Sequence, residues 1–342
     1  MTKKEFYDFF RDLPKAELHL HIEAVVGRET IRRFLARRNP GISDGTLDAE
    51  MERLFSYNDL NGFIASYLEI QDLYDSVADF DFLFSDLESY IIRNGISYAE
   101  IFASPSAFIK KGWKFSEMMD SYSRNLRKIK AKTGVDVRML LDVSRTFGAE
   151  NAMNNLNMIL GYRTPEVIGI GLGGAEQKGP AALFGDVFAK ARQNALHAVA
   201  HAGEDVGPES VWDTVNILHA ERIGHGTSSP QDENLMKMLA EKKIPLEVCP
   251  SSNVFTKKYV QSLAEHPIIE FFDRGLLATL NTDDPLFFGA ELLDEYWNAY
   301  NEIGFEAKDL KQLAKNSFEA SFMDNAKKVA FCKKIDEINL PE

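Results

Sequence analysis

A short apolar run that closes on polar or glycine residues, followed by a stretch with helical spacing, recurs along this chain. The runs lie at residues 17–22, 96–104, 135–144, 167–174, 196–204, 222–226, 244–253 and 276–285. Several are apolar throughout instead of alternating, the pattern of parallel strands covered on both faces. Amphipathic stretches at 115–132, 180–194 and 231–243 supply helices between them. Eight strand–helix units predict an α/β fold, a (β/α)8 TIM barrel, with a doubly wound open sheet as the alternative.

Two segments exceed a minimal barrel. Residues 27–94 separate the first two runs by far more than one crossover helix and carry Phe55, Tyr57, Phe63, Tyr67 and Tyr74. They read as an extra packed helical pair and equally as a lid, because barrel active sites form from the loops after the strands. Residues 292–339 read as two or three helices closing the far side. No repeat and no Pro/Gly/Ser-rich linker divides the chain. Residues 1–342 therefore read as one barrel domain, with 27–94 as a helical, lid-like insertion within it.

Charge removes several classes of partner. With 39 Lys plus Arg against 52 Asp plus Glu, the net charge is -13. That balance, with no basic cluster, argues against nucleic acid and against an anionic membrane surface. The two cysteines, Cys249 and Cys332, stand in no metal or redox spacing, which points to a reducing, cytoplasmic setting. Residues 1–13 lack the apolar core of a signal peptide, and no run approaches the length needed to span a bilayer.

The chemistry-bearing residues gather at the ends of the predicted strands. His19 and His21 stand two apart, which on a strand puts both imidazoles on one face. Such a pair can share a metal ion or be two satisfied core histidines. The fifth run ends with His201 and Glu204, the sixth with His225, and the eighth with Asp283 and Asp284. His197, His219 and His266 lie away from strand ends and read as ordinary residues. His19, His21, His201 and Asp283 form a nitrogen-rich set that favours zinc over magnesium, with iron, cobalt and manganese also open. A metal there would activate a water at neutral pH, leaving Glu204, Asp284 and His225 for proton work. The glycines at 169, 171 and 174 match G-x-G-x-x-G, but the motif ends a strand and has Lys190 near the offset where an acid is needed. It reads instead as a close backbone approach to something flat.

Six motifs together resemble the adenosine deaminase family of zinc-dependent purine deaminases. They are Pro14-Lys15-Ala16-Glu17-Leu18-His19-Leu20-His21, Tyr98-Ala99-Glu100, Gly173-Gly174-Ala175-Glu176, His201-Ala202-Gly203-Glu204, Arg222-Ile223-Gly224-His225-Gly226 and Thr282-Asp283-Asp284-Pro285. The resemblance implies the barrel, one Zn2+ per chain on His19, His21, His201 and Asp283, and hydrolysis of a 6-aminopurine to the 6-oxopurine and ammonia. It implies that His225 orients the attacking water and can take its proton, and that protonated Glu204 donates to N1. Asp284 would meet N7 as an ionised group and help aim the water, and the Gly174 N–H would meet N3. The substrate implied is adenosine or a close nucleoside. Free adenine and a 5′-modified nucleoside such as aminodeoxyfutalosine are alternatives, and a non-catalytic binding protein a remote one. The sugar side departs from nucleoside-specific members: Glu23 replaces an aspartate that commonly receives a ribose hydroxyl, Ala24 a glycine, and Phe102 a frequent arginine. Glutamate at position 23 is frequent in the adenine branch, whose Phe-Asp-Pro-Gln stretch is absent at Phe102-Ala103-Ser104-Pro105.

Overall fold

The computed structural model describes residues 1–57 and 60–340. Eight strands, β1 (Lys15–His21), β2 (Ile96–Ala103), β3 (Asp136–Asp142), β4 (Val167–Gly171), β5 (His197–Ala202), β6 (Arg222–His225), β7 (Leu246–Val248) and β8 (Ala278–Leu280), follow one another in chain order. Each pairs in parallel with the next. The segment after β8 returns to β1: the N–H of His21 donates to Asp283 O at 2.9 Å, and that of Asp283 to His19 O at 3.0 Å. The sheet thus closes as a (β/α)8 barrel, and the open-sheet alternative falls.

Every residue of β1 is buried, as the continuous apolar runs require of strands covered on both faces. β7 and β8 are shorter than their apolar runs. Pro250 and Pro285 each open a short helix, where a residue without an N–H costs nothing, and these helices take over the ends of the runs.

An N-terminal helix, α1 (Lys3–Asp12), was not expected from the sequence. Thr2 and Glu5 form its capping box, and Phe6 and Phe10, four apart on one face, stack at 4.2 Å. Phe6 also meets Trp297 edge-on at 5.2 Å, which ties α1 to the C-terminal region.

The insertion after β1 begins with a 3₁₀ turn, Ile22–Val25, followed by α2 (Arg28–Arg38), α3 (Asp44–Leu54), α4 (Leu60–Asp72) and α5 (Phe80–Asn94). α5 is the crossover helix that leads into β2. The excess is therefore three helices, not a pair; positions 58 and 59 of the insertion lie outside the described residues. The far side is closed by the helices Ala307–Ala320 and Asn325–Glu337, with Phe322 between them. The Phe322 ring stacks on His197 at 3.7 Å, and the Arg222 guanidinium lies 4.0 Å from its centre. No helix among the described residues is long and apolar enough to cross a membrane.

Candidate active site

Four predicted ligands converge on one point. His19 Nε2 lies 3.0 Å from His201 Nε2 and 3.3 Å from Asp283 Oδ1, and His21 Nε2 lies 3.3 Å and 3.2 Å from the same two atoms. All four side chains are buried. His19 donates its Nδ1 proton to Glu247 Oε2 at 2.8 Å, which turns the Nε2 lone pair toward the other ligands. Donors about 2.0–2.1 Å from a tetrahedral zinc stand about 3.3 Å apart, so this set is one that a divalent cation satisfies.

The surrounding chain holds the ligands in place. Ser252 Oγ donates to Asp283 Oδ2 at 2.7 Å, which leaves Oδ1 facing the histidines. Asn281 Oδ1 accepts the N–H groups of Leu18 and His19 at 2.8 and 3.2 Å. A Cβ at Gly224 would stand 2.7 Å from His19 Cε1, so only glycine leaves room for that ring. Behind Glu247, buried Arg222 bridges to Glu100, and Glu100 accepts the N–H of Phe322 at 2.6 Å. A hydrogen-bonded chain therefore runs from the C-terminal plug to a candidate ligand. His225 and Asp283 both have left-handed backbones, with φ of 63° and 65°. Each such non-glycine residue costs about 1–3 kcal/mol, and that strain is characteristic of functional positions.

The proton-handling residues face the same point. Glu204 Oε2 lies 3.5 Å from His225 Nε2, and Glu204, His225 and Asp283 offer atoms within 4.8 Å of one another. Burial first, then the charges of Asp283 and Glu176, raises the Glu204 carboxyl well above the usual range, in the direction that favours its protonated form. Glu176 braces the turn that carries it, accepting from the N–H groups of Gly203 and Glu204 at 3.0 and 2.9 Å and from Ser210 Oγ at 2.7 Å. Burial holds Asp283 up, but the adjoining His19 and His21 imidazoles outweigh it and leave the carboxyl well below the usual range. Burial and the Asp283 charge push Asp284 up to about 8. Its Oδ1 is buried without a hydrogen-bond partner among the described residues.

On the sugar side, the structure ties Glu23 into the chain. Its Oε1 accepts the Ser104 N–H at 2.7 Å and its Oε2 the Tyr67 hydroxyl at 3.2 Å. Tyr67 belongs to an aromatic cover. Phe63 of α4 meets Phe287 at 5.2 Å and Phe288 at 5.1 Å, Tyr67 meets Phe287 at 5.5 Å, and the Tyr57 hydroxyl donates to Phe287 O at 2.6 Å. Gly174 has φ of 99°, and a Cβ there would meet Thr146 Oγ1 at 2.8 Å. The flat group against the glycine run is internal, since the Phe102 ring packs on Gly171.

Sequence reading brought His19, His21, His201, Glu204, His225, Asp283 and Asp284 to one place, and the structure does the same. It passed over Glu247, Glu176 and Ser252. The signal available was a carboxylate inside an otherwise apolar run at Glu247 and the acid closing the Gly173–Glu176 motif. His197 pairs with Glu221 at the surface.

The pattern of the family described as Adenosine deaminase matches residues 14–338. An aminodeoxyfutalosine deaminase of Streptomyces avermitilis is 37% identical over 98% of this chain and 94% of its own length. An adenine deaminase of Streptomyces coelicolor is 34% identical over 94% of each. Among solved structures, the adenine deaminase from Arthrobacter aurescens superposes with a TM-score of 0.89 at 28% identity, covering 95% of this chain and 98% of that one.

Proposed function

The chain belongs to the adenosine deaminase family and is a deaminase acting on a purine-type substrate; within that activity we propose that it hydrolyses the 6-amino group of a purine nucleoside, with a 5′-modified nucleoside of the aminodeoxyfutalosine kind preferred to adenosine itself. The observation that carries the chemistry is the meeting of His19, His21, His201 and Asp283 beside the buried carboxyl of Glu204, 3.5 Å from His225.

A zinc ion held by those four side chains supplies Lewis acidity that makes a water nucleophilic near neutral pH. The chain does the rest. Protonated Glu204 donates to N1, relieving the charge that would build on the ring as C6 becomes tetrahedral. The Gly174 N–H faces N3. Purine N7 offers only a lone pair, so Asp284 meets it in its protonated form. His225 hydrogen-bonds the attacking oxygen and aims it at C6. As the water adds to C6, Glu204 gives its proton to N1 and takes up the proton the water loses; the hydroxyl proton then passes to the amino group, the C6–N bond breaks, and ammonia leaves a 6-oxopurine with its proton on N1.

The preference at the 5′ end rests on three supports: the identity to aminodeoxyfutalosine deaminase, the absence of the adenine branch's Phe-Asp-Pro-Gln stretch, and the aromatic cover, whose rings suit an apolar extension. Helices α2–α4 would then act as the lid. Free adenine is the second reading. It is favoured by Glu23, whose two oxygens are engaged by Ser104 and Tyr67 instead of standing free for a ribose hydroxyl. Ammonia release from aminodeoxyfutalosine, adenosine and adenine by the zinc-loaded protein separates them. The expected order of kcat/KM is the one just given; adenine as the fastest substrate overturns the nucleoside reading.

A further inference from the structure

His266 reads in the sequence as an ordinary residue, yet it heads a chain of hydrogen bonds that ends at His225. The N–H of Ile268 donates to His266 Nδ1 at 3.1 Å. A backbone amide can only donate, so this Nδ1 carries no proton and neutral His266 has its one proton on Nε2. Burial keeps His266 neutral, pushing it down to about 3. Its Nε2 lies 3.2 Å from Asn253 Oδ1. An N–H at that place needs an acceptor, so the Asn253 oxygen faces His266 and its NH2 faces His225, 3.0 Å from Nδ1. An amide NH2 only donates, so His225 Nδ1 accepts and neutral His225 carries its proton on Nε2. That nitrogen is buried, has no hydrogen-bond partner among the described residues, and points toward Glu204 Oε2 at 3.5 Å. The polarity of the whole chain follows from the one group in it that cannot reverse, the Ile268 amide.

We infer that His266 and Asn253 are positioning residues that lock His225 in the Nε2–H form, so that His225 presents an N–H, and not a lone pair, to the attacking oxygen. This deepens the deaminase reading and rests on it for the identity of that oxygen. It also replaces the proton-accepting role that the family resemblance implied for His225.

The direct test is ring-nitrogen NMR on zinc-loaded protein labelled with 15N-histidine, with signals assigned from His225→Ala and His266→Gln. His225 and His266 should both show a protonated Nε2 and a bare Nδ1; a proton on His225 Nδ1 overturns the inference. No substrate is present, so this result stands or falls separately from the substrate assignment. Turnover then tests the consequence, on whichever purine reacts fastest. Asn253→Asp offers His225 only an acceptor and should draw the proton to Nδ1. It should lower kcat by about 10²–10³-fold, as for loss of a donor to the developing oxyanion, with KM and zinc content held. His266→Gln, which keeps an N–H for Asn253, should retain more activity than His266→Leu. Unchanged kcat in Asn253→Asp, or equal losses in the two His266 variants, contradicts the relay.

Discussion

At the floor of the barrel mouth, His19 and His21 of β1, His201 of β5 and Asp283 after β8 meet through atoms 3.0–3.3 Å apart, with His19 braced by Glu247 and Asp283 by Ser252. The cover above them is made of rings. Phe63, Tyr67, Phe287 and Phe288 meet at centroid distances of 5.1–6.0 Å, and Tyr57 and Tyr67 each add a hydrogen bond to the rest. The floor is directional and set by strand register, whereas the cover rests on non-directional packing that tolerates exchange. A chain built this way keeps its chemistry while its choice of substrate drifts. Relatives of similar identity that are named for adenine and for aminodeoxyfutalosine fit that division.

The contrast can be broken from the floor first. Glu204→Gln should keep the metal and lose about 10²–10⁴-fold in kcat, because the donor to N1 is gone. A near-native rate would mean that another group protonates the ring. His201→Ala should abolish tight metal binding, read by elemental analysis of the purified variant.

A smaller effect is expected one layer back. Glu247→Gln weakens the hold on His19, and Phe322→Ala unseats the plug that supports Glu100 and Arg222. Each should cost about 10–100-fold in zinc affinity, measured by chelator competition, with Glu247→Gln the larger. Unaltered affinity in both would show that the buried chain from plug to ligand carries nothing to the site.

The cover should yield the smallest and most selective changes. Glu23→Ala removes the acceptor of the Ser104 N–H and the Tyr67 hydroxyl. It should raise KM through lid seating by roughly the 1–3 kcal/mol of a charged hydrogen bond, with kcat held. Tyr57→Phe loses one neutral hydrogen bond to Phe287 O and should raise KM only a few-fold, by about 0.5–1.5 kcal/mol. A fall in kcat without a change in KM for either variant would erase the distinction between floor and cover.

Legibility in the sequence follows the same division. Strand ends can be read because an apolar run that stops on His, Glu or Asp marks both the element and the direction of its last side chain. The barrel and the seven floor residues were therefore visible. Glu247, Ser252 and His266 were not, because their partners are chosen only when the barrel closes: His266 stands beside Asn253 through the packing of the segment after β7. Helix α1 escaped notice because its two buried phenylalanines, Phe6 and Phe10, are too few to stand out as a periodic face. The cover's aromatic residues were visible, but their contacts depend on how α3 and α4 fold back onto the helix that begins at Pro285, and no periodicity reports that.

The measurement that tests the account most directly is a zinc titration of metal-free protein, following ammonia release from its preferred purine substrate. The account predicts no turnover without metal and a linear rise that breaks at one zinc per chain. A break at two, or full activity in metal-free protein, would contradict it.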